Sequence, residues 1–156
     1  MAYSGVYVKP NPDPSIPFPF LDFATQSKPR VLVFGSRDWP HIGVIRRDMV
    51  ALSKSIGAYT LVHGAARGAD SYADKIAESI DFERDPFPAY WSEDGRAAGV
   101  IRNQKMLDSG IDYAMGYILN ESRGSEDMLR RLRDQETPRL VTRLETMLYH
   151  GFPDVG

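Results

Sequence analysis

Cysteine is missing altogether from the 156 residues of this chain. Its absence excludes a disulfide framework, thiol catalysis and thiolate-held metal, and it agrees with a cytoplasmic protein. Long apolar runs are missing too. No stretch approaches the ~18 residues of a membrane span, and no charged-then-apolar leader opens the chain, so neither a membrane partner nor a secretory route is expected. Charge of one sign is not in excess: 19 Lys+Arg stand against 21 Asp+Glu, a net charge of −2. No global field therefore recruits nucleic acid. The 3 histidines lack metal-ligand spacing and no HExxH occurs, so no metal site is expected. GxGxxG and GxxxxGK are both absent, which argues against a dinucleotide oxidoreductase, a P-loop NTPase and a resident cofactor. Lysine is scarce, 5 residues against 14 arginines. Arginine presents a planar fork that grips phosphate or carboxylate in two places, so the positions of the arginines matter more than their number.

What remains is the composition of one soluble domain, 42% hydrophobic and 26% charged. Residues 1–29 stand apart as an arm. Pro10, Pro12, Pro14, Pro17 and Pro19 interrupt any helix or central strand there, so the arm is expected to be extended. Phe18, Phe20, Leu21 and Phe23 give it side chains to bury along the core or a neighbouring subunit. Residues 30–156 read as a single domain without repeats.

Val31-Leu32-Val33-Phe34, ending at Gly35, is the short apolar run of a strand buried on both faces. Ile42, Ile45, Met49, Leu52 and Ile56 recur at helical spacing up to Gly57. Tyr59 to His63 predicts a second strand, and Ala73, Ile76, Ala77 and Ile80 the inner face of a second helix capped by Asp70 or Ser71. A short strand near Phe82 to Phe87, a loop from Trp91 to Gly99, and a helix carrying Ile101, Met106 and Leu107 come next. Tyr113 to Leu119 is a further strand, Met128, Leu129 and Leu132 line a further helix, and Pro138 to Val141 is the last strand. A short apolar tail helix over Leu144 to Phe152 completes the expectation. Strand and helix alternate throughout, which predicts an α/β, Rossmann-like fold with a mainly parallel sheet flanked by helices.

In such sheets ligands bind beyond the carboxyl ends of the strands. Three loops at that edge share one character: Gly35-Ser36-Arg37, Gly64-Ala65-Ala66-Arg67-Gly68 and Arg123-Gly124-Ser125. Each joins a glycine that admits close approach to an arginine at a helix entrance, where free N–H groups and the dipole favour an anion. Ordinary strand-to-helix turns also favour Gly, Ser and Asp, and one such loop would mean little. Three together predict a pocket for a phosphate-bearing ligand.

Taken in order, Gly35-Ser36-Arg37-Asp38-Trp39, Val62-His63-Gly64-Ala65-Ala66-Arg67-Gly68-Ala69-Asp70, Trp91 with Gly95-Arg96-Ala97-Ala98-Gly99, Arg102-Asn103-Gln104-Lys105-Met106 and Arg123-Gly124-Ser125 resemble the successive motifs of the YspA-like SLOG family. The resemblance runs from about Val31 to Val141. It belongs to a superfamily that includes the LOG phosphoribohydrolases and the DNA-processing protein DprA, and its YspA-like members occur in bacteria and phages. The resemblance implies a Rossmann-like sheet whose loops hold a nucleotide or nucleotide derivative, in the cytosol of a bacterial cell or a phage-infected host. Related folds often pair, so a homodimer or higher homo-oligomer is expected.

The same resemblance bears on catalysis. LOG-type hydrolases use an Arg from an RK-like motif, which Arg102-Asn103 resembles, and a Glu three residues after the Gly-Thr of PGGxGTxxE. Here Gly124-Ser125 stands for Gly-Thr, Asn120-Glu121-Ser122 replaces the preceding residues, and Met128 occupies the position of the Glu. Cleavage of an N-glycosidic bond ordinarily wants a carboxylate. Its absence in this register favours a binding protein, acting as a sensor or a sequestering agent, over an enzyme. The alternative is a nucleoside-monophosphate N-glycosidase in which Arg102 positions the substrate and Glu126, Asp127 or Asp70 supplies the carboxylate. A second alternative is a DprA-like nucleic-acid module, for which Arg130-Arg131-Leu132-Arg133 is the best hint, although a solvated, charge-mixed helix face explains that run. The predicted ligand-binding set is Gly35, Ser36, Arg37, Gly64, Arg67, Gly68, Asp70, Arg102, Asn103, Arg123, Gly124 and Ser125, with Arg102 and Glu126 the catalytic candidates. Asp70 also suits a helix cap, His63 suits packing, and Trp91 suits either a base platform or a plug at the core edge.

Overall fold

Residues 30–35 carry side chains that bury on both sides of the backbone, and they form the central strand of the protein. The structure, a computed structural model, describes residues 28–146. The expectations for the proline-rich arm and for the tail helix beyond residue 146 lie outside the described residues. In β1 (Arg30–Gly35), Val31 and Val33 point to one face and Leu32 and Phe34 to the other, as a pleated strand requires. The remaining strands are β2 (Thr60–His63), β3 (Arg84–Pro86), β4 (Tyr113–Leu119) and β5 (Arg139–Leu144). They pair in the order β3-β2-β1-β4-β5, and every pairing is parallel.

Helices cover both faces. On one, α1 (Ile42–Ile56) and α2 (Ala69–Ser79) pack over Val31, Val33, Leu61, Met115 and Tyr117. The α1 stripe follows the prediction at Ile45 and Met49, fully buried, and at Leu52 and Ile56, partly buried, whereas Ile42 at the helix start is 37% exposed. On the other face, α4 (Ala98–Asp108) and α5 (Arg123–Asp134) bring Met106, Leu107, Met128, Leu129 and Leu132 onto Leu32, Phe34, Val62, Ala114 and Ile118. Polar groups inside are paired. Tyr117 donates its hydroxyl to buried Asp48 at 2.7 Å and Tyr59 donates to the Met49 carbonyl at 2.9 Å. No buried side-chain nitrogen or oxygen among the described residues lacks a partner, as a well-formed interior requires.

Several expectations are corrected. The predicted loop from Trp91 to Gly99 is a one-turn helix, α3 (Trp91–Asp94), followed by a 3-10 turn over Gly95–Ala97 that runs into α4. Gly95, with φ 61°, makes the break between them. Ile101 faces outward at 36% exposure, so the inner stripe of α4 is Ala98, Met106 and Leu107 with Asn103. The last strand is longer than predicted and absorbs Leu144, because its pairing with β4 continues from Ala114↔Arg139 to Leu119↔Leu144. β3 is shorter than predicted and has Pro86 as its last residue. An edge strand tolerates a residue with no N–H to donate. Finally, α2 starts at Ala69 without a side-chain cap, so Asp70 lies inside its first turn with its carboxylate turned to other partners.

Candidate functional site

The chain leaves β1 toward β2 on one side and toward β4 on the other, so strand order reverses at the β1–β4 pair. Open parallel sheets bind ligands at such a reversal, because the loops beyond the two strand ends diverge and leave a crevice. A cleft of about 470 Å³ opens there, within the range of small-molecule sites. Phe34, Met106, Leu119 and Met128 contribute an apolar lining. The polar wall comes from the β1–α1 turn at Gly35–Asp38, from Ala66 and Asp70, from Trp91 with Gly99, Arg102 and Asn103, and from Asn120–Ser125.

Glycines set how closely these segments approach. A Cβ on Gly35 would overlap the Tyr117 carbonyl and sit 2.7 Å from the Ala69 Cβ, so the first turn fits tightly between β4 and α2. Gly68 has φ 79°, and a Cβ there would strike the Ser36 and Arg37 carbonyls. Gly64 leaves room for the Arg102 guanidinium, and a Cβ on it would also lie 3.0 Å from Asp70 Oδ2. Gly64 and Gly68 therefore shape the neighbours of the cleft without lining it.

Ser36 ties β1 to β4. Its N–H donates to the Tyr117 carbonyl at 2.9 Å and its hydroxyl accepts the Leu119 N–H at 2.8 Å. That hydroxyl is committed to the scaffold and is not a free donor. Asn103 is committed in the same way. It donates to the Gly124 carbonyl at 3.1 Å and to Asp127 at 3.0 Å, and it accepts from Arg102 Nε at 3.2 Å. It locks α4 to the start of α5 and orients Arg102. Ser125 is buried and its hydroxyl accepts from Ser122 at 3.1 Å. With no side chain capping α5, the amides of Arg123, Gly124 and Ser125 have no partner among the described residues, which leaves an electropositive helix start open to an anion.

Asp70 and Arg102 face each other across the second loop. Asp70, 5% exposed, accepts the Gly64 N–H at 2.9 Å and the Ala66 N–H at 3.4 Å through Oδ2. Its Oδ1 takes no hydrogen bond among the described residues and is not sealed from solvent. Burial pushes its carboxyl up to about 6, against the opposing pull of His63, Arg102 and the two amides. Arg102 donates to the Gly64 carbonyl. Burial lowers its proton affinity, Asp70 works the other way, and Arg37 adds to the lowering. His63 backs the loop. Its Nδ1 accepts the Ala65 N–H at 3.0 Å, so Nε2 carries the hydrogen toward Asp74 at 2.9 Å.

Of the four arginines in the predicted ligand-binding set, Arg37, Arg102 and Arg123 line the cleft. Arg67 does not. Its exposed side chain stands behind cleft-lining Asp38, 3.7 Å from that carboxylate. Glu126 is also outside. It is held in a two-pronged pair by Arg143 at 2.6 and 2.9 Å, which keeps its carboxyl below the usual carboxylate range despite some desolvation. Asp127 is bound by Arg130 and Arg131, both at 2.8 Å, so the basic run of α5 is largely neutralised by its own helix. Among the three carboxylates weighed for catalysis, Asp70 alone lines the cleft.

Sequence reasoning missed Asp38, Asn120, Glu121 and Ser122, which adjoin the predicted motifs and also line the cleft. Their proximity in sequence to the Gly-Arg loops was the available signal. Trp91 proves to be a cleft residue at 50% exposure, while Trp39, 2% exposed, fills the core edge.

Residues 29–93 match the model of the YspA, cpYpsA-related SLOG family. The Gene 61 protein of Mycobacterium phage D29 is 34% identical over 116 residues, an overlap covering 70% of this chain and 92% of that protein. No solved structure matches the chain. No helix among the described residues is long and apolar enough to cross a membrane. Motif order, sheet topology and both comparisons agree: the chain belongs to the YspA, cpYpsA-related SLOG family.

Proposed function

We propose that this protein binds a nucleotide-derived, phosphate-bearing ligand in the β1–β4 cleft and acts as a sensor or sequestering protein. The observation that carries the proposal is the meeting of Arg37, Arg102 and Arg123 with the uncapped start of α5 around one cavity of about 470 Å³. Guanidinium forks and free helix-start amides are the donors that a phosphate takes up most readily. Family membership supports a nucleotide-related ligand. Titration calorimetry with nucleoside monophosphates, ADP-ribose and cyclic nucleotides tests it. A micromolar ligand is expected, weakened about tenfold or more by Arg102→Ala, since a hydrogen bond to a charged group contributes ~1.5–3 kcal/mol. A folded protein with no ligand tighter than millimolar would overturn the proposal.

A second reading rests on Asp70. A buried carboxyl with a raised proton affinity beside an arginine is the equipment of acid–base chemistry, and Asp70 would serve an N-glycosidase acting on nucleoside monophosphates. Chromatographic detection of free base from AMP, lost in Asp70→Asn while the nucleotide still binds, would favour it over simple capture.

A further inference from the structure

The two tryptophans of the described residues have opposite fates. Trp39 is 2% exposed, donates its indole N–H to the His41 carbonyl at 3.0 Å and packs against Tyr117 at a ring separation of 5.4 Å. Trp91 is 50% exposed and its indole N–H has no partner among the described residues. No other aromatic ring among them stacks on it. It nonetheless lines the cleft. Its ring edge packs beside Gly99 at the start of α4, where a Cβ would make ordinary contact with Trp91 Cη2 at 3.5 Å. On the cleft side the Arg37 guanidinium stands 6.0 Å from the ring centroid, at the outer limit of a cation–π contact.

We propose that Trp91 is the base platform of the cleft: the ligand is a nucleotide whose flat heterocycle stacks on the indole while its phosphate reaches the start of α5. The inference rests on the phosphate-binding proposal above. It adds the chemistry of the other end of the ligand. Folding buries large aromatic surfaces by preference, and an indole left half open on a concave, arginine-lined wall presents a ready π surface. The Arg37 guanidinium stands over that ring and also lines the cleft, so a base stacked on the indole would lie against it. Stacking on an indole is tolerant of base identity but grows with overlap, which makes purine nucleotides the favoured class over pyrimidine nucleotides.

Ribose 5-phosphate and AMP separate the two ends of the ligand. Because Trp39 is sealed in the core, nucleotide-dependent quenching of tryptophan emission reports on Trp91. AMP is expected to quench, and calorimetry is expected to give AMP at least about tenfold tighter binding than ribose 5-phosphate, in line with the ~1–3 kcal/mol of a base–aromatic stack. Trp91→Ala is expected to erase that difference while leaving ribose 5-phosphate affinity within about twofold, and Trp91→Phe to keep most of it. Equal affinity for AMP and ribose 5-phosphate in the unmodified protein would overturn the base platform and leave the phosphate site standing. Equal weakening of both ligands by Trp91→Ala would do the same, by assigning Trp91 a structural role. Emission that responds to protein concentration and not to AMP would also overturn it, by assigning Trp91 to a contact between copies. Failure of AMP, ribose 5-phosphate and inorganic phosphate alike would remove the phosphate site and this inference together.

Discussion

Asp70 holds its proton more tightly than an ordinary aspartate because burial outweighs Arg102, His63 and the amides of the second loop. In the unfolded chain the same carboxyl ionises near 3.8, and in the folded chain near 6. Between those values the native state binds the extra proton, so this residue's contribution to stability declines as pH rises through that window. The loss is on the order of 2–3 kcal/mol. Urea melts at pH 4 and pH 7 are expected to show wild type losing about that much more than Asp70→Asn over the same interval. Met128 makes a contrasting point. It fills the place where the LOG-type pattern carries Glu and is fully buried against the α4–α5 face of the sheet. Met128→Glu is therefore expected to destabilise the fold by ~3 kcal/mol or more in chemical denaturation, as a buried unpaired charge does. Arg102 was legible in sequence because its motif spacing survives, and so was Asp70, though not its partners. That the Ser36 hydroxyl is tied to Leu119 and the Asn103 amide to Gly124 and Asp127 was not legible, because what occupies a hydrogen-bonding group depends on neighbours far away in the chain.

The second loop and its helix, α2, set the geometry of one wall. Gly68 has a positive φ and abuts two backbone carbonyls of the first turn, neither of which can swing away. Gly68→Ala combines a left-handed strain of ~1–2 kcal/mol with overpacking of ~1–3 kcal/mol. A loss of at least ~2 kcal/mol in denaturant melts is expected, together with weaker ligand binding as the turn shifts. Glu126→Gln on α5 should behave oppositely. Its pair with Arg143 is exposed, so stability should change by less than ~1 kcal/mol, and calorimetry should find ligand affinity unchanged because the side chain lies off the cleft. At this scale the regular helices were readable from spacing: α1 has an apolar stripe from Ile45 to Ile56. The one-turn α3 was not, since four residues are too few to display a period and Gly95 interrupts the chain before α4 can extend it. β5 was underestimated because its length is decided by pairing with β4 and not by its own apolar content, which is half exposed.

At the scale of the molecule, the alternation of apolar runs and amphipathic stripes was enough to predict a parallel α/β sheet, and the two cores on its faces arise from the side-to-side alternation in β1. Strand order was not stated by any local pattern. It is the reversal at β1 that brings segments far apart in the chain, from Gly35 to Ser125, to one crevice. The stretch that matches the family model ends at residue 93, yet Arg102, Arg123 and the opening of α5 come after it. A protein cut at residue 93 would keep the stretch that the family model matches and lose a whole side of the crevice, from Gly99 to Met128.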